Sequence, residues 1–291
     1  SPGEHSSTRV IESGAVPLLI KLLGSTENND LKDHAALALG NVAIGSAQAR
    51  NHVIDSGGLE PLMKVMNDFV EGQSTSARVL NSTVWTVSQL CRAVPRPSVE
   101  VLRPVLPVLT QLLVTAGDEE VLVDACWAIS YLAEDFAYLE VVCQPEIVKV
   151  VVNLLDHPSN GVRTAAVRAS GNFVTGNDRQ TQVVIEAGGL EAFGKLIESP
   201  VDEHCKDAVW AISNIAAGTQ EQIQRVIDAN LIPKLVRAWH TRCETVKTEA
   251  AWALCNFCTG GSPEQFKYLM SQRHAVTPLV CVLLESKDTA L

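Results

Sequence analysis

Two eight-residue stretches of the sequence carry the same three types of side chain at the same spacing. Residues 207–214 read DAVWAISN and residues 249–256 read EAAWALCN, so that an acid is followed by Trp and then by Asn. On an α-helix these three positions share one face. The indole can hold the aliphatic stem of a Lys or Arg, the acid can meet its charged head, and the amide can bond an extended peptide backbone. The pattern predicts a face that binds a basic peptide.

The same helical phrase recurs along nearly the whole chain. Its last position falls at Asn41, Gln89, Tyr131, Asn172, Asn214 and Asn256. The copies are 41 to 48 residues apart, and a second phrase, such as IDSGGLEPL at 54–62, lies between them. Recurrence at a nearly fixed period is the signature of a repeat protein, in which each unit buries its apolar faces against its neighbours.

Each repeat is predicted to contain three helices. A short helix ends at Gly, as in NHVIDSGG, a second has Pro near its first turn, as in LEPLMKVM, and a longer third one covers 204–217 in one copy. Long alternation typical of strands is missing. We therefore predict an all-α, right-handed superhelical solenoid that forms one domain over 1–291. The predicted repeats are 1–45, 46–92, 93–135, 136–176, 177–217, 218–260 and a partial seventh at 261–291.

Two features of the repeat pattern are irregular. The stretch NDFVEGQSTSARV at 67–79 lengthens one spacing and is predicted to be a polar loop between helices. The final segment supplies only two helices, which would leave an apolar face bare. We therefore expect the chain to be part of a longer protein that is truncated at both ends.

Composition argues against several classes of function. The formal net charge is −10, which disfavours nucleic acid and anionic membranes as partners. The longest apolar stretch, 101–114, is too short to cross a membrane and contains Arg and two Pro, and no signal peptide opens the chain. The eight Cys are scattered, several in apolar runs, as expected for free thiols in a soluble intracellular protein.

The sequence offers no recognisable enzyme chemistry. It contains no phosphate-binding glycine loop, nucleophile elbow or zinc-protease motif. Cys255 and Cys258 form CNFC, but a metal site needs a second pair of ligands, so packing in the core is the favoured interpretation. We predict no enzyme, no cofactor and no metal.

The recurring Trp and Asn are too regular for ordinary core residues. Four Trp align at 85, 127, 210 and 252, and four Asn align at 41, 172, 214 and 256. A buried acid or amide would need a partner, so we expect this face to be open and the stacked repeats to form a ladder. Packed helices lie about 8–10 Å apart, so one repeat would span about two to three residues of an extended peptide.

Four longer motifs resemble one known family. CWAISYLAED, SGNFVTGNDRQTQVVIEAG, WAISNIAAGTQEQIQ and EAAWALCNFCTGG are similar to importin-α, the armadillo-repeat adaptor of nuclear import, and the similarity runs over essentially all 291 residues. The resemblance implies an adaptor that binds basic nuclear localisation signals of cargo proteins and shuttles between cytoplasm and nucleus. It also implies importin-β and an export receptor as partners, through segments that these residues do not contain.

The family has two peptide-binding sites, and the resemblance assigns residues to both. The minor-type site would comprise Arg168, Asn172, Val174, Thr175, Asp207, Trp210, Ser213, Asn214, Glu249, Trp252 and Asn256. The major-type site would comprise Asn41, Trp85, Gln89, Arg92, Asp124, Trp127, Tyr131 and Glu134. Arg168, which replaces Trp between the two sites, is expected to satisfy acids or helix carbonyls of the groove or the linker of a two-part signal.

The major-type site departs from the family pattern at three positions. Leu37 stands where the family has Trp, Gly45 where it has Asp, and Gln89 where it has Asn. We therefore expect this site to be weakened and the C-terminal groove to make the tighter contacts.

Two other functions remain as alternatives. An armadillo scaffold of the β-catenin type would bind extended acidic tails, but it needs a groove lined by Lys and Arg, whereas this chain places Asp124, Asp207 and Glu249 there. A structural assembly module would use its convex face instead of the groove.

Overall fold

The described residues fold almost entirely into α-helices. The computed structural model describes residues 2–92 and 94–285, which divide into two compact units, Ser1–Val142 (unit 1) and Cys143–Leu291 (unit 2). The described part contains helices, turns and loops but no strand, which confirms the predicted all-α class. Three parts of the predicted repeats, at 1, 93 and 286–291, lie outside the described residues.

Unit 1 is a stack in which every third helix is long. The helices are α1 (Pro2–Glu12), α2 (Ala15–Ser25), α3 (Asn29–Ile44), α4 (Ala47–Asp55), α5 (Leu59–Val70), α6 (Ala77–Arg92), α7 (Val99–Leu102), α8 (Val105–Thr115), α9 (Glu119–Ala133) and α10 (Phe136–Val142). The long helix α3 packs against α6, and α6 packs against α9. One row of long helices therefore runs through the unit.

Unit 2 repeats this arrangement. Its helices are α11 (Pro145–Asn153), continued by the 3₁₀ turn Leu154–Asp156, α12 (Asn160–Phe173), α13 (Asp178–Glu186), α14 (Gly189–Leu196), α15 (Asp202–Ala216), α16 (Gln220–Asp228), α17 (Ile232–Thr241), α18 (Glu244–Gly260), α19 (Pro263–Ser271) and α20 (Val276–Glu285). The long helices α12, α15 and α18 pack in that order. None of the described helices in either unit combines the length and apolarity needed to cross a bilayer.

The expected local signals set most helix ends. Gly57 and Gly188, which close first helices, have φ of 87° and 91°, a left-handed conformation that favours Gly. At 260–261, Gly260 is the last residue of α18 and Gly261 caps this helix with an extended backbone, its N–H donating to the Phe257 carbonyl. The predicted loop at 67–79 is shorter than expected. Helix α5 continues to Val70 and α6 begins at Ala77, because the apolar stripe of α5 extends beyond buried Met66.

Two Gln side chains fix the stacking of the first helices in unit 2. Gln222 accepts the Thr219 N–H through Oε1 at 3.1 Å and donates through Nε2 to the Asp178 carbonyl at 2.7 Å. Gln265 makes the same pair of bonds one repeat later, from Ser262 N–H and to the Gln220 carbonyl. Each Gln closes the start of its own helix and ties it to the preceding first helix. These buried, satisfied amides hold the spacing at which the long helices present their side chains.

Candidate functional site

In each unit, one indole lies directly on a glycine of the preceding long helix. A methyl group at position 171 would stand 2.5 Å from Trp210 Cζ3, and one at position 40 would stand 2.5 Å from Trp85 Cζ3. Gly in a helix interior costs about 0.5–1 kcal/mol relative to Ala, so these positions have a packing reason. Gly171 and Gly40 let the half-buried Trp210 and Trp85 rings approach the backbone of the helix before them closely.

The Trp210 ring borders a pocket of about 380 Å³ in unit 2. The lining residues of this unit 2 pocket are Arg168, Lys206, Asp207, Trp210, Thr245, Thr248 and Glu249. Arg168 lies over the indole, with Cζ 5.7 Å from the ring centroid, and its Nη2 is 3.1 Å from Asp207 Oδ2. Lys206 Nζ is 3.5 Å from Asp207 Oδ1. Arg168 therefore forms an ion pair with an acid of this pocket, and its contact with the linker of a ligand stays a prediction.

Burial governs the protonation of the two carboxyl groups in the unit 2 pocket. Desolvation raises the pKa of Asp207, which is almost fully buried, and the charges of Arg168 and Lys206 oppose that rise. Desolvation also raises the pKa of Glu249, and Lys206 again opposes it. The ammonium group of Lys206 therefore acts on both carboxyl groups.

The amide ladder of unit 2 is not uniform. Asn256 donates through Nδ2 to the Ser213 carbonyl at 2.9 Å and to Ser213 Oγ at 3.2 Å. Asn214 Nδ2 is buried and makes no hydrogen bond within the described part of the chain. Trp252 is 56% exposed, more than any other large aromatic side chain of the ladder. The amide donor of Asn214 is thus unpaired but lies below the surface, whereas the donor of Asn256 is already used.

The Trp85 ring borders a similar pocket of about 410 Å³ in unit 1. The lining residues of this unit 1 pocket are Leu37, Asn81, Ser82, Trp85, Glu119, Glu120, Val123 and Asp124. Desolvation, together with the charge of Glu120, raises the pKa of Asp124 to about 7. Among the described residues, Asp124 has no ion-pair partner that could lower it again.

The acids of the unit 1 pocket are positioned by the start of α9. Asp118 caps this helix by accepting the Glu120 and Val121 N–H groups at 2.9 and 3.3 Å. Asn81 of α6 donates to Glu120 Oε2 at 3.0 Å and to Asp118 Oδ1 at 3.4 Å. The amide of Asn81 therefore links the acidic first turn of α9 to the helix that carries Trp85.

The remaining predicted residues of unit 1 form a second aromatic group. Trp127 stacks on Tyr131 with ring centroids 5.6 Å apart, and Arg92 Cζ lies 5.9 Å from the Tyr131 centroid. Glu134 is used internally, since its Oε2 is 2.8 Å from Arg96 Nη2. Gln89 is buried and its Nε2 donates to Ser88 Oγ at 3.0 Å.

The predicted site residues differ in accessibility. The half-buried ones are Trp85, Asp124, Trp127, Tyr131, Arg168, Trp210, Asn214, Glu249 and Asn256. The exposed ones are Asn41, Arg92, Glu134, Thr175 and Trp252. The buried ones are Gln89, Asn172, Val174, Asp207 and Ser213. For these five the expectation of an open face is wrong, and Asp207 shows why, because Arg168 and Lys206 cover it.

The two pockets correspond position by position. Relative to the central Trp, Asn81 and Ser82 of unit 1 stand where Lys206 and Asp207 stand in unit 2. On the following long helix, Glu120, Val123 and Asp124 correspond to Thr245, Thr248 and Glu249, and on the preceding one Leu37 corresponds to Arg168. The half-buried acid of each pocket, Asp124 or Glu249, thus comes from the helix after the Trp and not from the helix that carries the Trp.

Sequence reasoning missed several lining residues. These are Leu37, Asn81, Ser82, Glu119, Glu120 and Val123 in unit 1, and Lys206, Thr245 and Thr248 in unit 2. A usable signal exists for Glu120 and Thr245, because each lies four positions before a predicted acid and so shares its helix face. Lys206 directly precedes Asp207, and adjacent helix positions point in different directions, so its contact needed coordinates.

The described residues show no metal-binding geometry. No cluster of three or more His, Cys, Asp or Glu side chains there could hold an ion. Cys255 and Cys258 are half-buried in α18, and burial raises the pKa of both thiols.

The repeat architecture is also found by comparison with known proteins. The armadillo/beta-catenin-like repeat family matches residues 7–44, 95–134, 177–217 and 219–259, which together cover more than half of the chain. The chain belongs to the armadillo-repeat family.

Within that family the similarity is to importin-α subunits. Importin subunit alpha-1b of Oryza sativa subsp. japonica is 42% identical over 197 residues, which is 67% of this chain and 36% of that protein. Importin subunit alpha-3 of Arabidopsis thaliana is 41% identical over 199 residues, or 68% of this chain and 36% of that protein. The resemblance inferred from the motifs is confirmed, and the chain spans little more than a third of the length of these relatives.

A solved structure with a bound ligand is also similar. A designed armadillo repeat protein in complex with the peptide (KR)4 superposes with a TM-score of 0.75 at 30% identity, covering 83% of this chain and 99% of that one.

Proposed function

We propose that this chain is the peptide-binding part of a nuclear import adaptor, which holds Lys/Arg-rich nuclear localisation signals of cargo proteins in an extended conformation. The observation that carries the proposal is that each unit places an indole beside carboxylates in a pocket of similar size. An indole and a carboxylate together fit the aliphatic stem and charged head of Lys or Arg. Each cation–π contact contributes about 0.5–2 kcal/mol, so several pockets must act together.

The relatives support the same ligand class. Two similar proteins are named as importin subunits, and a designed armadillo repeat protein was solved with a peptide of alternating Lys and Arg. For the longer protein we propose importin-β and an export receptor as partners, with shuttling between cytoplasm and nucleus. We propose no enzymatic activity.

A titration with matched peptides tests the proposal. A fluorescently labelled Lys/Arg-rich peptide should bind, and its affinity should fall as salt is raised, whereas a Glu-rich peptide of equal length should not bind. Trp210→Ala with Trp252→Ala should lower the affinity by about tenfold or more, since both indoles are lost from unit 2. Trp239→Ala is the control, because Trp239 lies on α17 beside His240 and lines neither pocket.

The alternatives make different predictions in the same titration. Preference for the Glu-rich peptide would favour a scaffold for acidic tails. If the basic peptide bound the double variant as tightly as the unchanged chain, the indoles would not be part of the site and the proposal would be wrong.

A further inference from the structure

The unit 2 pocket already contains positive charge of its own. Arg168 and Lys206 line it together with Asp207 and Glu249. The two cations lie 3.1 and 3.5 Å from the two carboxylate oxygens of Asp207. Two acids are therefore matched by two bases before any ligand enters.

The acids of the unit 1 pocket are not matched by basic residues in the same way. Its described lining includes Glu119, Glu120 and Asp124 but neither Lys nor Arg. At the position of Lys206 it has Asn81, a neutral amide that donates to Glu120. Arg78, one turn earlier on α6, is held by Asp30 and Asp33. A cation that enters this pocket meets net negative charge.

The two cations of the unit 2 pocket are not equally fixed. Arg168 is held by its ion pair with Asp207 and by its contact with the Trp210 ring. Lys206 reaches Asp207 only at 3.5 Å, too long for a good hydrogen bond. Its ammonium is also the group that a Lys side chain of a ligand would bring. Lys206 is therefore the cation that a ligand can replace.

We propose that Lys206 is a resident cation that lowers the affinity of the unit 2 pocket, because a Lys or Arg of the ligand must displace it. The inference rests on the proposed function and deepens it. Its consequence is an order of binding, in which the first basic side chain docks in the unit 1 pocket and the unit 2 pocket is secondary. That order is opposite to the one expected from the sequence.

Substitutions at the two corresponding positions, 206 and 81, test the proposal by calorimetry with the peptide Lys-Arg-Lys-Arg. In a chain carrying Asp124→Asn, which weakens the unit 1 pocket, Lys206→Met should raise the affinity about three- to tenfold, because a competing, partly exposed charge is removed. Lys206→Arg, which keeps the charge, should not produce this gain. In the otherwise unchanged chain, Asn81→Lys should lower the affinity by a similar factor.

Lys195→Met is the matched control for net charge. Lys195 pairs with Asp156 at 2.5 Å on the exposed surface of unit 2 and lines neither pocket, so its loss should not change peptide affinity beyond a small general effect of net charge. Thermal unfolding of each variant separates a binding effect from loss of the fold.

The outcomes distinguish this inference from the proposed function. If the unchanged chain does not bind the peptide, the proposed function fails. Suppose that it binds, but that in the Asp124→Asn chain Lys206→Met leaves the peptide affinity unchanged or lowers it, or raises it no more than Lys195→Met does. Lys206 is then not a competing cation. If the Asn81→Lys variant binds the peptide as tightly as the unchanged chain, the unit 1 pocket is not the first docking point.

Discussion

The pockets of unit 1 and unit 2 share a framework and differ in charge. In both, a Trp ring lies on a glycine of the preceding long helix, and an acid of the following helix completes the pocket. Unit 1 then adds Leu37, Asn81 and Glu120, where unit 2 has Arg168, Lys206 and Thr245. One pocket is left negative and the other is internally neutralised.

This difference shows which acid matters in each pocket. Asp207, three positions before Trp210, first suggested a cation-binding motif, yet it is buried beneath Arg168 and Lys206. Ser82 holds the equivalent position in unit 1 and donates to Asp33. The acid–Trp–Asn motif therefore identifies the Trp of each pocket correctly. The acid that a ligand can reach, Asp124 or Glu249, comes from the next long helix along the chain.

The largest expected effect concerns the shared framework. Gly171→Ala should lower the free energy of unfolding by about 1–3 kcal/mol, because the new methyl group would overlap the Trp210 ring and force it out. Gly40→Ala should have a similar effect through Trp85. Urea unfolding followed by circular dichroism measures both.

Gly24→Ala is the control for these substitutions. Gly24 is also helical, but a methyl group there would meet only Pro61 Cβ at an ordinary 3.7 Å. Because Ala is the better helix former, this variant should be neutral or slightly stabilised. If Gly171→Ala unfolds like Gly24→Ala, the indole does not depend on the glycine and the two units do not share this feature.

The sequence predicted the architecture better than the site. The repeat period, Gly at helix ends and Pro in first turns can all be read directly from the sequence. They therefore predicted the positions of almost all helices. The aligned Trp and Asn also identified which helix face to consider. Whether Asp207 is covered depends on the reach of Arg168 from another repeat, a non-local contact that no spacing reveals. The glycine beneath each Trp was visible in LALGN and RASGN but could not be interpreted without the ring that contacts it.

The next effect separates the pockets by pH. The pKa of Asp124 is about 7 in the folded chain, with Glu120 on the same helix face adding to the effect of burial. A ligand cation binds the ionised form, so peptide affinity should rise with pH between about 6 and 8, by at most about tenfold per unit. Asp124→Asn should remove this slope, which calorimetry at several pH values can measure.

The same group sets the sign of an effect on stability. A carboxyl whose pKa is raised on folding is protonated in the folded chain at pH values where the unfolded chain has already lost its proton. Stability therefore falls as pH rises from about 4 to about 7 and stays reduced above that. Asp124→Asn should thus stabilise the chain at pH 8 more than at pH 4. An equal change at both values would mean that Asp124 is ionised normally and that the pockets do not differ in this respect.

The smallest effect concerns how the acids of unit 1 are held. Asp118 caps α9 through two backbone N–H groups and accepts from Asn81, whereas α18, the counterpart of α9 in unit 2, begins at Glu244 without a side-chain cap hydrogen bond. Asp118→Ala should therefore cost about 1 kcal/mol of stability, the usual value of such a cap. It should also weaken peptide binding in unit 1, because Glu120 loses its fixed helix start.

Asp156→Ala is the matched control, since an exposed pair with Lys195 contributes about 0–1 kcal/mol and lies outside both pockets. Equal losses for the two variants in urea unfolding would show that the acidic first turn of α9 is held by the packing of α6 and not by its cap.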